Sequence, residues 1–396
     1  MSNNASNQDK INTILQKIDD MHDLLQAEAE VSERLRRPTP AVQEVLRDSG
    51  IFHVLLRERF GGAQATALDL LKVISRLSYA DASIGWLARV LISENAYAAA
   101  SLPPETAEEL FGGESKALIA GLSKMDYSGT ATETDGGYIV SGDWQYVPGL
   151  SMATHVDLGV VVEGTGKQLI CTVPRSSLWI NDNWNMLGLQ SSGTLDYKAH
   201  ELFVEKRFTF SPGEGDEAQG NLLNELPALT LSRLNQSAWG QGVGQRILDE
   251  LKKLTQDNLD HSERDVTSSE FFAEFARHTS HVRSTDAFLR EIWGQVDADL
   301  RKGVELSLDT QTMLRLGAAL STRTVLEISQ LAHRFAGGYV MQNGTLQRFF
   351  RDGHAGTQHR GTAHFVTQQA GALLAGTVPE GSTWGERDEL VVPSRV

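Results

Sequence analysis

The hydrophobic period of this chain changes twice along its length, and that sets the order in which its elements must fold. Residues 9–36 place Ile11, Ile14, Leu15, Ile18, Met21, Leu24 and Leu25 at three- and four-residue steps, the period of a helix with one apolar face. Pro38 and Pro40 end that helix, and Pro40 can open a second, short one that stops at Gly50. Phe60-Gly-Gly62 reads as a turn, and residues 66–111 read as three more helices, the last starting at Pro103-Pro104. From residue 114 to about 210, short β-branched runs alternate with Gly and Asp turns: Gly137-Tyr-Ile-Val-Ser141, Leu158-Gly-Val-Val-Val162, Leu169-Ile-Cys-Thr-Val173 and Glu201-Leu-Phe-Val204. A polar loop over 211–220 follows. The helical period then returns through 229–256, 268–302 and 306–336, and a shorter helical region carries Arg351. The Gly-, Pro- and charge-rich tail from Thr377 reads as a loop or arm. Helices, then strands, then long helices predict an α+β fold rather than a doubly wound sheet. The divisions fall at 1–113 (helical), 114–212 (β) and 213–396 (helical bundle with tail).

Charge and cysteine usage narrow the function. Against 51 acidic residues stand 36 basic ones, a net charge of −15. Nonspecific nucleic-acid binding needs basic patches that displace counterions, so no nucleic-acid partner is expected. The single cysteine, Cys171, lies in an apolar run and reads as a small buried hydrophobe; no disulfide can form within the chain, which fits a reducing compartment. No secretion signal and no run of membrane-spanning length is visible, so a cytoplasmic location without a membrane partner is expected.

The segment from Leu346 to His359 concentrates chemistry. It holds two imidazoles, His354 and His359, two guanidiniums and Asp352 beside Phe349-Phe350. Histidine titrates near neutrality and suits proton handling. On a continuous helix the two histidines would lie about 140° apart, at 100° per residue, so only one would face a given site. Glu274, His278 and His281 fall at i, i+4 and i+7 on one helical face. That spacing is not the Glu-x-x-His pair of di-iron bundles, and no second ligand set is evident in the sequence. The face reads as solvated or as a subunit contact, with no metal. Gly240-Gln-Gly-Val-Gly244 lacks the dinucleotide spacing and lies in a helical run, which points to close helix packing.

Several of these segments together resemble the acyl-CoA dehydrogenase fold, and within it the two-component, reduced-flavin-dependent monooxygenases. The resemblance rests on the element order, on Arg351-Asp352 with a histidine seven residues after Asp352, on Phe60-Gly-Gly62, and on Asp81-Ala-Ser-Ile-Gly-Trp86. Ser141-Gly-Asp-Trp-Gln-Tyr-Val-Pro-Gly149 and Leu187-Gly-Leu-Gln-Ser-Ser-Gly-Thr194 add to it. It implies an N-terminal helical domain, a middle β-barrel-like domain and a C-terminal four-helix bundle. It also implies a homotetramer and an oxygenase component that uses reduced FMN or FAD (FMNH2 or FADH2) and O2. Through a C4a-hydroperoxyflavin such a component hydroxylates a small aromatic or heteroaromatic substrate, of phenol or indole type. No nicotinamide site is visible, so a separate NAD(P)H-dependent flavin reductase is the implied partner.

By resemblance, His359 handles the proton, with His354 second, and Asn95 stands where relatives carry a histidine, in catalysis or substrate binding. Trp144, Tyr146, Pro148, Gly149, Ser192, Gly193, Thr194 and Arg351 map to the cofactor and Trp86 to the substrate. Simpler readings stand beside these. Trp144 suits a core aromatic, Trp86 a packing residue, and Ser192-Gly193-Thr194 a plain turn. Arg351-Asp352 suits a structural ion pair and His359 a helix-end cap. Two departures are plain: Pro148 replaces a serine whose hydroxyl meets flavin N5, leaving that contact to backbone or to a neighbour such as Ser151, and Asn95 cannot shuttle protons. The dehydrogenase motif Tyr-Glu-Gly-Thr has its nearest match in His354-Ala-Gly-Thr357, where alanine replaces the catalytic acid. A flavin dehydrogenase with a relocated base, an oxidase of nitrogen or sulfur, and a non-enzymatic fold relative are the alternatives.

Overall fold

The computed structural model describes residues 2–113, 115, 117–121, 127–211, 220–260, 265–359, 364–385 and 389–393, with side chains from residue 7 onward. The division points expected at 114, 212 and 213, and most of the polar loop over 211–220, lie outside the described residues. Contacts partition the chain into two compact units. Unit 1 is Met1–Asp69, Trp86–Met186 and Gln190–Ala228; unit 2 is Leu70–Gly85, Leu187–Leu189 and Leu229–Val396. Among the described residues no helix is long and apolar enough to cross a membrane.

Unit 1 begins with α1 (Ser2–Asp20), α2 (His22–Leu35) and α3 (Pro40–Ser49). The single helix expected over 9–36 is therefore two. The break is slight: Met21 keeps helical dihedrals, its N–H donates to Lys17 O and its carbonyl accepts from Leu25 N–H. Arg36, left-handed at φ 56°, ends α2, and Thr39 caps α3 through its hydroxyl, with Pro40 at the first helical position.

The three helices expected over 66–111 are α4 (Ala67–Ala80), α5 (Ala82–Ser101) and α6 (Pro104–Phe111). The unit boundary falls within α4 after Asp69 and within α5 after Gly85.

The β part of unit 1 is a sheet ordered β6-β7-β3-β2-β4-β5-β8, with β1 (Ile119–Gly121) added parallel on β4. Its longest members, β3 (Gly137–Val147) and β7 (Leu195–Glu205), pair antiparallel with register shifts at Val140/Gly142 and at Trp144/Val147. The other strands are β2 (Gly129–Thr134), β4 (His155–Val162), β5 (Gln168–Pro174), β6 (Trp179–Asn181) and β8 (Thr209–Phe210). All four β-branched runs found in the sequence lie in these strands.

Trp144 is the anchor of the sheet core. A Cβ on Gly129 or Gly142 would come within 2.4 Å or 2.6 Å of its ring, so the two glycines make room for it. The ring stacks on Tyr197 at 5.2 Å, and its N–H donates to Gly159 O. Cys171 lies fully buried on β5, where burial and the nearby Asp157 push its thiol up to about 12.

Unit 2 is built on the long helices α7 (Ala228–Asp257), α8 (Ser269–Lys302) and α9 (Leu308–Phe335), then α10 (Thr345–Gly356) and α11 (His364–Leu374). The glycines of α7 pack helices together, as their spacing implies. A Cβ on Gly240 would meet Ser321 Oγ at 2.4 Å, and one on Gly242 would meet Ser75 O at 2.1 Å. The tail is more ordered than its composition implies. β9 (Thr383–Trp384) pairs antiparallel with β10 (Leu390–Val391), and the buried Trp384 donates its indole N–H to Thr312 Oγ1. The Arg315 guanidinium lies 4.1 Å from the Trp384 ring centre. An aromatic side chain with a satisfied N–H and a cation on its face, together with the Leu390 N–H donated to Gln369 Oε1, holds this short arm.

Candidate active site

In unit 1 the loop after β3 meets the loop before β7. Gly149 N–H donates to Ser192 O at 2.9 Å, and Ser151 N–H donates to Gly193 O at 3.2 Å. Both glycines adopt the left-handed conformation, Gly149 at φ 75° and Gly193 at φ 60°. Neither has room for a side chain: a Cβ on Gly149 would sit 2.9 Å from Leu91 Cγ, and one on Gly193 would sit 2.0 Å from Ser151 Oγ. Five of the residues assigned to the cofactor, Pro148, Gly149, Ser192, Gly193 and Thr194, are thus brought to one junction. Ser192 and Thr194 share a hydrogen bond between their buried hydroxyls at 2.7 Å. Pro148 is buried and brings no donor. The Ser151 hydroxyl, three residues on, is buried at the same junction without a hydrogen-bond partner. An unmet hydroxyl costs about 1–3 kcal/mol, so the junction suits a ligand that carries polar ring atoms, as a flavin does.

Tyr146 sits at the second register shift, left-handed at φ 59° and exposed. Its N–H is held by Asp196 Oδ1 and its ring meets Trp184 edge-on at 6.3 Å. A bulge that turns one side chain outward is a common way to present a residue at a rim.

Two assignments need correction. Trp144 is only 2% exposed, with its ring stacked on Tyr197 and its N–H bonded to Gly159, so it serves the core rather than a flavin face. Asn95 is fully buried, and both ends of its amide are in use. Nδ2 donates to Phe52 O at 3.0 Å, and Oδ1 accepts from Ile119 N–H at 2.8 Å. It ties α5 to the 3-10 turn Ile51–His53 and to β1 from a fully buried position, which suits a structural role.

Trp86 is half-buried, and the Arg89 guanidinium lies 3.6 Å from its ring centre. Burial pushes the pKa of Arg89 down to about 9. In unit 2, Arg233 on α7 is likewise pushed down to about 9, by burial first and by Arg315 second. The sequence reading missed both guanidiniums. Their signal was a lone basic residue at an otherwise apolar helical position, Arg89 one turn after Trp86.

Helix α10 of unit 2 carries the remaining candidates. Arg351 and Asp352 each reach a partner far away in sequence. Asp352 is fully buried; its Oδ1 accepts the Leu189 N–H at 2.6 Å, and its Oδ2 lies 3.5 Å from Ser83 Oγ. Arg351 donates to Leu187 O at 3.1 Å and to Gln347 Oε1. A Cβ on Gly188 would strike Arg351 O at 2.3 Å. The two side chains therefore clamp residues 187–189, where Leu189 is held left-handed at φ 54°. The chain continues directly from Leu189 into the Ser192–Thr194 loop.

His354 meets Phe350 edge-on at 4.6 Å, and burial, followed by His333, lowers its pKa, so it stays neutral at pH 7. His359 lies three residues past the end of α10 and is half-buried. The angular argument made for a continuous helix therefore does not apply. Helix α10 ends against α7: a Cβ on Gly356 would be 2.2 Å from the Trp239 ring, and Gly356 O accepts from Gln236 Nε2.

Comparisons with known proteins agree with this layout. Residues 234–364 match the acyl-CoA dehydrogenase C-terminal domain. The indole-3-acetate monooxygenase of Pseudomonas putida is 26% identical, over 88% of this chain and 90% of that protein. The oxygenase component of the FADH2-dependent resorcinol hydroxylase of Rhizobium sp. is 27% identical, over 85% and 87%. The solved structure of XiaF from Streptomyces sp., in complex with FADH2 and glycerol, superposes with a TM-score of 0.83 at 19% identity, covering 96% of this chain and 99% of that one. Over most of its length the chain is thus similar to flavin-dependent monooxygenases, and it shares the acyl-CoA dehydrogenase-like fold of the solved structures.

Proposed function

We propose that the chain is the oxygenase component of a two-component system that receives reduced FMN or FAD from a separate NAD(P)H-dependent reductase. With O2 it hydroxylates a small electron-rich aromatic compound of indole or phenol type. The observation that carries the choice over a dehydrogenase is the state of α10. Its only carboxylate, Asp352, is buried and engaged with Leu189 N–H, and Ala355 stands at the acid position of the dehydrogenase motif. No base for removing an α-proton is left on that helix, whereas one imidazole, His354, lies on it and a second, His359, follows three residues past its end. The kinship to an indole-3-acetate monooxygenase and to a resorcinol hydroxylase supports the substrate class.

The reduced flavin supplies, with O2, the oxygen atom that is transferred. The protein's part is to hold and shelter it. Pro148, Gly149 and the Ser192–Thr194 loop hold the ring system, and the Ser151 hydroxyl takes the place of the serine that Pro148 replaces. Arg351 keeps residues 187–189 in place ahead of that loop. His359 accepts the phenol or ring N–H proton, or hydrogen-bonds the reacting oxygen. His354, neutral beside Phe350, stands second. Trp86, with Arg89 on its face, lines the substrate. The working form is a cytoplasmic homotetramer, with helical, β and bundle domains divided near 113/114 and 212/213.

The test is anaerobic titration with FMNH2 and FADH2, followed by turnover under 18O2 with indoles and phenols. Reduced flavin should bind more tightly than oxidised flavin, and the product should carry one labelled oxygen. Turnover with an artificial electron acceptor and no label would favour the dehydrogenase. Absence of flavin binding in either redox state would favour the non-enzymatic alternative.

A further inference from the structure

Helices α8 and α9 of unit 2 carry a second cluster of titratable groups. Glu274, His278 and His281 share one face of α8, as their spacing implies, and α9 adds Glu327, which the sequence alone did not connect to them. Ligand atoms of His278, His281 and Glu327 all lie within 4.8 Å of one another. His281 Nδ1 is 3.4 Å from Glu327 Oε2, and His278 Nε2 is 3.7 Å from Glu274 Oε2. These separations are long for hydrogen bonds between such atoms. They are close to the edge of about 3.3 Å that separates two ligands of a tetrahedral metal with bonds of about 2.0–2.1 Å.

One further observation points to a missing cation: a guanidinium already stands between two of the four groups. Arg277 Nη2 is 2.8 Å from Glu274 Oε2 and 2.9 Å from His278 Nε2. Its side chain is 47% exposed and can swing into solvent. Glu327 gives its other oxygen to Arg323, which leaves Oε2 facing His281. A cavity of about 330 Å³ beside Glu274, His278 and Glu327 leaves room for an ion and water.

We propose that Glu274, His278, His281 and Glu327 form a site for a divalent transition-metal cation of zinc type, which cross-links α8 to α9 and displaces the Arg277 guanidinium. Two imidazoles and two carboxylates suit zinc and its neighbours rather than magnesium or calcium, which prefer all-oxygen sites.

The experiment is titration of the chelator-treated full chain with Co2+, read by the visible band of a tetrahedral complex, with Zn2+ in competition. One equivalent per chain is expected, and Zn2+ should raise the melting temperature. His281→Ala and Glu327→Gln, both at partly exposed positions, should weaken binding by more than about tenfold and abolish the thermal shift. Arg277→Gln should tighten binding, because it removes the competing cation. No Co2+ band, or binding unchanged in His281→Ala and Glu327→Gln, would overturn the site; weaker binding in Arg277→Gln would overturn the displacement. None of these readouts depends on flavin or on turnover.

Discussion

Gly149 and Gly193 make their contacts through the backbone, and the side chains that accompany them, Ser192 and Thr194, bond to each other. Asp352 and Arg351 do the opposite: they send side chains out of a regular helix to hold the backbone of residues 187–189. Both regions contribute to the same proposed chemistry, and both fix left-handed residues, but by different means. At the loop junction the conformation is permitted by the absence of a side chain, so nothing has to restrain it. At Leu189 it is imposed on a residue that resists it, and a buried carboxylate must supply the restraint. A non-glycine residue held in that region costs about 1–3 kcal/mol and persists only where its surroundings over-determine it.

The difference can be tested by removing each device. The largest effect is expected outside both, at the imidazole proposed to handle the proton. His359→Ala should lower coupled hydroxylation by about 10²–10⁴-fold, the usual worth of a general acid–base group, with reduced-flavin affinity kept. Unchanged coupling in that variant, read as product formed per reduced flavin consumed, would remove His359 from the mechanism.

Next comes the side-chain clamp. Asp352→Ala removes the carboxylate that accepts the buried Leu189 N–H and should cost about 1–3 kcal/mol of stability in chemical denaturation. It should also open residues 187–194 to limited proteolysis, and an unchanged cleavage pattern would show that the clamp is not needed. Gly193→Ala should act more locally. It forces a left-handed alanine, at about 1–2 kcal/mol, and pushes Ser151 aside, so flavin affinity should fall by about tenfold while residues 187–194 stay as resistant to limited proteolysis as before. If Gly193→Ala instead opened that segment as Asp352→Ala does, the two regions would not differ as described.

The smallest effect is one of pH. His354 has a folded pKa below its ordinary 6.5 because of burial and His333. The unfolded chain then binds its proton first, so the stability tied to a neutral His354 is complete above pH 6.5 and is lost as pH falls through the lowered value. His354→Gln should flatten that part of the stability–pH curve.

Much of this was legible beforehand, for reasons that can be named. The turn glycines and β-branched runs gave the sheet, because their conformational demands are local. The period of α7–α9 gave the long helices, because one apolar face repeats over many turns. Where a residue's role depends on a distant partner, the sequence was silent or misleading. Trp144 looked like a ligand aromatic because the space made for it by Gly129 and Gly142 is created by strand pairing. Asn95 looked polar and available, but its partners, Phe52 and Ile119, lie far away in sequence. Adjacency drew attention to Arg351 and Asp352 as a pair, whereas the backbone that they hold, at Leu187 and Leu189, lies 164 and 163 residues earlier. The order of the tail draws on distant partners too: those of Trp384, Thr312 and Arg315, are some 70 residues earlier.

The placement of Cys171 bears on how such an enzyme ages. Flavin oxygenases that fire without substrate release hydrogen peroxide, and thiolates are its first protein targets. The chain's only thiol is out of reach on β5 and titrates at about 12, so near neutral pH almost none of it is in the reactive form. Oxidative wear should therefore be recorded in sulfoxides at the exposed Met341 and Met186, a lesion that cellular reductases can reverse.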